Sequence, residues 1–228
     1  MRPETPDRPA GATAALASGD ATHPALRADL ELVAAQIPDG ARVLDLGCGS
    51  GSLLAHLMGG HGCTGTGVEI DPDKVLRAIR RGIPVIELDV DHQLDEFSDA
   101  SYDVCVLSRT IQTIQRPEHV LREMGRIAST LIVSVPNFGW WGHRLRLLRG
   151  RMPMSKELPY SWYDTPNIRH TTLLDLEQLF DRLGYRVVRR FTFTEDGRRL
   201  RMQGARANLT AGAAVYVLVR DGRLAILH

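Results

Sequence analysis

The chain has 228 residues, 43% hydrophobic and 24% charged, which suits one compact domain with a sizeable core and argues against a fibrous or largely disordered protein. Its net charge of +1 supplies no global field that would steer it onto nucleic acid or anionic lipid. Cys48, Cys63 and Cys105 form no CxxC pair, which points away from a disulfide framework or a cysteine-rich zinc centre, and no stretch approaches the ~18 apolar residues of a membrane span.

A cytoplasmic chain that binds neither metal nor membrane is therefore expected. Residues 1–22, rich in Pro, Ala, Gly and Thr, predict a disordered tail, and 23–228 a single domain. From Pro24, suited to a first helical turn, Leu26, Leu30, Val33, Ala34 and Ile37 recur at helical spacing. "RVLDL" reads as a buried strand, and "SLLAHLM" as a helix that begins at the glycines. "TGTGVEI" is a second strand; Asp71 then offers an N-cap, Pro72 a first helical position and Gly82 a stop. "PVIEL" and "YDVCVLS" are the third and fourth strands. A helix starting near Pro117 carries Val120, Leu121, Met124 and Ile127 on one face, and "LIVSV" is the fifth strand.

Strands alternating with helices at this spacing predict a parallel sheet covered on both faces, with the ligand crevice beyond the carboxyl ends of the strands. Residues 136–170 break the rhythm and read as a functional insertion. A Thr172-to-Asp175 capping pattern opens a further helix, which Gly184 ends. "YRVVRRFTFT" and "AAVYVLVRD" then predict an antiparallel pair at the sheet edge, joined by a long arginine-rich loop.

Gly47, Gly49 and Gly51 give G-x-G-x-G between a strand and a helix, where bare backbone lets a ligand approach the helix N–H groups. Ser52 and Leu53 stand where a phosphate loop needs lysine and a hydroxyl residue, and Ser52 replaces the third glycine of a dinucleotide fingerprint. No lysine or arginine adjoins the loop in sequence. Asp45, just before it, would repel pyrophosphate and attract an ammonium group. Glu69, eighteen residues after Gly51, can accept both hydroxyls of a ribose, and Asp89, at the end of the third strand, can reach an adenine edge. Singly, Asp45 as a turn cap, Glu69 as a solvated strand end and Asp89 or Asp91 as a helix cap would also explain these acids.

Together "LDLGCGSG", "GVEID" and "ELDVD" resemble the S-adenosylmethionine (SAM) motifs of class I methyltransferases. The resemblance implies an α/β, Rossmann-like fold: a mostly parallel seven-stranded sheet with an antiparallel last strand and helices on both faces. It also implies SAM or S-adenosylhomocysteine held by Asp45, Gly47, Cys48, Gly49, Gly51, Glu69, Ile70, Asp89, Val90 and Ser108.

The insertion narrows this. "PNFG", "GRMP", "LPY" and "WYDTPNI" resemble the MetW family of methionine-biosynthesis proteins, and the likeness runs from about Asp29 to about Phe191. Arg109 departs from an expected glutamine, and Arg169 precedes His170 where the family often has histidine first. The resemblance implies a SAM-binding accessory or regulatory subunit of homoserine O-acyltransferase. Trp140, Trp141, Arg144, Arg146, Tyr160, Trp162 and Tyr163 are the side-chain types that dominate interface hot spots, and are expected to meet that partner. They would also suit a lid packed on the sheet. The rival reading is a SAM-dependent methyltransferase of an unidentified small molecule, with His143, Tyr163, Asp164 or His170 as base. The arginines of "HRLRLLRGR" read as a solvated helical face rather than a nucleic-acid site.

Overall fold

A computed structural model describes residues 26–202 and 204–220. The predicted tail and Pro24 lie outside the described residues. The chain builds one eight-stranded sheet in the order β3-β2-β1-β4-β5-β8-β6-β7. Its strands are β1 (Arg42–Leu46), β2 (Thr64–Glu69), β3 (Val85–Glu87), β4 (Tyr102–Ser108), β5 (Ala128–Pro136), β6 (Tyr185–Phe193), β7 (Arg199–Leu200) and β8 (Ala213–Arg220). The first five are mutually parallel, and β8 runs antiparallel to both its neighbours.

Helices cover both faces. On one side α1 (Ala28–Ala34), α2 (Ser52–Gly60) and α3 (Pro72–Arg80) bury Val33, Leu53, Leu54, Leu57 and Ala78 against Val43, Val104, Val106 and Ile132. On the other, α4 (Pro117–Ile127) and α6 (Leu173–Arg182) bury Leu121, Met124, Leu176 and Phe180 against Leu44, Cys105, Leu107 and Tyr216. Neighbours along a strand thus serve opposite cores, as the two-residue period of a strand requires. The predicted caps form: Asp71 accepts hydrogen bonds from the amides of Asp73 and Lys74, and Thr172 from that of Asp175.

Three expectations are corrected. The first helix begins only at Ala28 and spans seven residues. The sheet has eight strands rather than seven, because the two-residue β7 folds back on Thr192 and Phe193. The antiparallel pair at this edge forms as β8 and β6, with β8 inside between β5 and β6, but the connection expected as an arginine-rich loop holds β7 and α7 (Gly204–Thr210). Burial explains the placement. Six consecutive residues of β8, Ala214 to Val219, are buried and need sheet neighbours on both sides, whereas β6 exposes Arg186 and Arg189 and tolerates a position near the rim.

The insertion carries one helix, α5 (Trp141–Leu148), and is otherwise irregular. It is pinned to the strand ends rather than hanging free. The Asn137 amide donates to the carbonyls of Asn208 and Ala211, at 2.8 and 2.7 Å, and the Ile168 and Arg169 amides donate to the Gln112 carbonyl, at 3.0 and 2.9 Å.

Candidate functional site

The sheet order reverses between β1 and β4, and the glycine loop follows β1 at that switch, where an open α/β sheet leaves a crevice. Gly47, Gly49 and Gly51 all have left-handed backbone, with φ of 72°, 60° and 74°. At Gly47 the fold also lacks room: a Cβ would stand 2.4 Å from the Thr110 hydroxyl oxygen. At Gly49 a Cβ would meet nothing within 4 Å, so that face of the loop is open.

The loop amides are committed inward. Gly47 and Cys48 donate to the Val68 carbonyl, Gly51 to the Cys48 carbonyl, and Gly49 to the Glu69 carboxylate at 2.9 Å. These four amides face the protein rather than a ligand, and such a loop is a poor phosphate cradle.

Asp45 is only 3% exposed, yet no hydrogen bond reaches its carboxylate among the described residues. Burial, and secondly the charge of Glu69, push it up to about 7, against the opposing pull of Arg27. A carboxylate so placed is a ready acceptor for a cation. Glu69, also buried, accepts from Gly49 on one oxygen and from the amides of Ile70 and Asp71 on the other, which fixes its orientation and leaves lone-pair capacity on the oxygen that faces Gly49. Burial, and then the charges of Asp45 and Glu69, raise Cys48 to about 12, so its thiol is no nucleophile.

The other predicted positions lie around this centre. Asp89 falls two residues beyond β3, not at its end, and accepts from the Asp91 amide while His92 Nδ1 lies 2.8 Å away. Partial burial works the other way, but those hydrogen bonds hold Asp89 below its ordinary range. The neighbouring amide of Leu88 donates to the Glu69 carbonyl, which brings this segment to the end of β2. Val90 packs on the core, Ile70 is exposed beyond Glu69, and the Ser108 hydroxyl pairs with that of Ser134 at 3.1 Å.

In the insertion, Arg144 and Arg146 donate to the carbonyls of Gly139 and Met152 and so brace their own segment. Trp140 lies tilted against Trp141 and edge-on to His143. Tyr160 and Trp141 are about half exposed, and Trp162 and Tyr163, 70% and 76% exposed, pack edge to face on the surface. Of the four possible bases, His143 is fully buried, with both ring nitrogens unpartnered; the carbonyls of Asn137 and Phe138 lie near it without hydrogen-bond geometry. His170 stacks on Phe138 at 4.5 Å, and Tyr163 and Asp164 are exposed.

Several residues escaped the sequence reading. Arg81, thirty residues from the loop, donates to the Ser50 carbonyl and to the hydroxyls of Ser50 and Ser52, so the fold brings a cation to a loop that has none beside it in sequence. Asp91 is buried and accepts from the amides of Gln115 and Arg116 at the entry to α4. Arg109, in left-handed backbone with φ 51°, reaches Asp29 of α1 and Glu157 of the insertion, each at 2.8 Å. The departure of Arg109 from the family pattern was the one available signal; the others depend on distant segments meeting. Among the described residues no helix is long and apolar enough to cross a membrane, and no group of three His, Cys, Asp or Glu side chains could hold a metal ion.

Residues 27–218 match the family described as "Methionine biosynthesis protein MetW". The "Bifunctional methionine biosynthesis protein MetXA/MetW" of Rhodopirellula baltica is 34% identical over 221 aligned positions, covering 89% of this chain and 35% of that protein, so the chain spans about a third of that relative's length. Among solved structures, a SAM-dependent methyltransferase from Mesorhizobium loti aligns with a TM-score of 0.63 at 17% identity, covering 85% of this chain and 98% of the other. A SAM-dependent methyltransferase from Thermotoga maritima described as a possible histamine N-methyltransferase aligns at 0.62 and 19%, covering 85% and 88%. The (4+2)-cyclase SpnF aligns at 0.61 and 15%, covering 84% and 80%. At such identities the likeness shows the class I methyltransferase fold alone, and the cyclase among them illustrates that this fold does not fix a chemistry.

Proposed function

The chain belongs to the MetW family of methionine-biosynthesis proteins, and from that membership we propose that it is a SAM-binding accessory subunit of a homoserine O-acyltransferase in the cytoplasm. The observation that carries the ligand half is Asp45: a buried carboxylate without a hydrogen-bond partner among the described residues, beside a second carboxylate, before a glycine loop that is open at Gly49. SAM offers it an ammonium group and a sulfonium. In this reading Asp45 takes the ammonium, while Gly47, Cys48, Gly49 and Gly51 give the ligand contact with bare backbone. Glu69, oriented by three amides, accepts the ribose hydroxyls, and Ile70, Asp89, Val90 and Ser108 border the adenine. S-adenosylhomocysteine shares all but the sulfonium charge.

The partner half is supported by the exposed Trp162 and Tyr163, by Trp140, Trp141, Arg144, Arg146 and Tyr160 in the same insertion, and by the relative whose name joins MetXA and MetW in one chain. SAM lies downstream of homoserine acylation, so a SAM-dependent affinity between the subunits would make this chain a product sensor; linkage requires each ligand to change the other's affinity equally. The methyltransferase reading has less support, because methyl transfer to an oxygen or nitrogen usually needs a base within hydrogen-bond reach of the acceptor. His143 is sealed in the core, His170 is stacked, and Tyr163 and Asp164 face solvent.

The deciding experiment is acyltransferase activity of the homoserine enzyme from the same organism, with and without this chain, across a SAM titration followed in parallel by calorimetry. Activity that requires the chain and shifts with unconsumed SAM is expected. Indifferent activity, with S-adenosylhomocysteine accumulating when cell extract is added, would assign the chain to the methyltransferases.

A further inference from the structure

A cavity of the described chain lies far from the glycine loop, at the other end of the sheet. Of the nine residues of β6, only Thr192 and Phe193 have a strand on their outer side, namely β7. From Tyr185 to Phe191 that side has no strand beside it among the described residues. After Leu200 the chain leaves β6, and a cleft of about 820 Å³ opens between Val187–Arg190 and Arg199–Met202. An unpaired strand edge presents backbone donors and acceptors to any extended segment that can lie about 4.8 Å away.

The charge around the cleft selects what can lie there. Arg190, Arg199 and Arg201 line it against a single acid, Glu177. Glu177 is already held, by Arg190 at 2.6 Å and by the Tyr216 hydroxyl at 2.8 Å. Arg199 lies 4.7 Å over the Phe191 ring, and neither it nor Arg201 makes an ion pair among the described residues. Like charge opposes pairing between two copies of this edge. A segment of opposite charge meets no such barrier. Between the arginines, Val188 and the half-exposed Met202 offer apolar contacts, so a strand with alternating acidic and apolar residues complements both.

We propose that the outer edge of β6 docks an acidic, extended peptide segment of a partner protein, which adds as a further strand beside Val187–Arg190. This surface is distinct from the insertion and from the glycine loop, and its test requires neither SAM nor the acyltransferase.

The probe is a fluorescein-labelled (Glu-Val)5 peptide added to the full chain, with (Lys-Val)5 and inorganic triphosphate as controls. Saturable anisotropy with (Glu-Val)5 is expected, at least tenfold stronger than with (Lys-Val)5 and weakened by salt, with slowed hydrogen exchange at β6 amides. The double variant Arg199→Glu/Arg201→Glu should lose at least tenfold in affinity while its circular dichroism stays native; should it fail to fold, Arg201→Ser alone is read in the same assay. Absent binding, or equal binding of both peptides, would overturn the proposal. So would displacement by triphosphate with β6 amides left unprotected, which would mark a small-polyanion site instead.

Discussion

Asp45 couples the folding of this protein to pH. Raised from 3.8 to about 7, its carboxyl holds its proton in the folded state at pH values where the unfolded chain has lost it. Folding stability from this group is therefore full below about pH 4, falls as pH rises through the window to about 7, and is constant above. Asp45→Asn removes that dependence. The variant should melt higher than wild type at pH 8, by about 2–4 °C for each kcal/mol relieved, with the difference vanishing near pH 4. Calorimetry should show its SAM affinity reduced at least tenfold, and wild-type affinity falling as pH drops below 7. A variant that bound SAM as tightly as wild type would remove Asp45 from the ligand's ammonium. Gly47→Ala joins a strained φ to a clash with the Thr110 hydroxyl, and should cost about 1–3 kcal/mol of stability in a denaturant titration.

At the scale of elements, capping and bracing decide which segments are rigid. Thr172 caps the start of α6 at the Asp175 amide, beside Asn208 at the Leu173 amide, and the helix buries Leu173, Leu176 and Phe180. Thr172→Ala should cost about 1 kcal/mol and lower the melting temperature by about 2–4 °C. The insertion shows the opposite division of labour. Arg144 and Arg146 brace its backbone, whereas Trp162 and Tyr163 contribute little to burial. Trp162→Ala with Tyr163→Ala should therefore leave the melting temperature within about 1 °C while weakening acyltransferase binding by about tenfold or more, read by surface plasmon resonance. Unchanged binding with intact folding would move the interface elsewhere.

Across the whole molecule, Arg109 ties the first helix to the insertion. Its guanidinium reaches Asp29 and Glu157, and burial raises the Glu157 carboxyl while Arg109 opposes that rise. Arg109→Ala leaves both acids without their shared cation, and should cost about 1–3 kcal/mol at pH 8. The cost should shrink toward pH 5, where Glu157 takes up a proton more readily; thermal melts at the two pH values check it. Because the same bridge spans from α1 to the segment proposed to meet the acyltransferase, the variant also tests whether SAM alters partner affinity through it.

The periodicity of the strands, the caps at Asp71 and Thr172 and the G-x-G-x-G turn are local properties, so hydrophobic spacing and turn chemistry sufficed to locate them. The family and its fold were legible too, since short motifs such as "GVEID" and "WYDTPNI" stand contiguous in the chain. What the sequence could not decide was everything that depends on two distant segments meeting. The slot taken by β8, the arrival of Arg81 at the glycine loop, the inward commitment of the loop amides to Val68 and Glu69, and the Asp29–Arg109–Glu157 bridge are all of this kind. Apolar spacing records which face of an element is buried but not which neighbour buries it, and a charged side chain carries no mark of the partner that packing will bring to it.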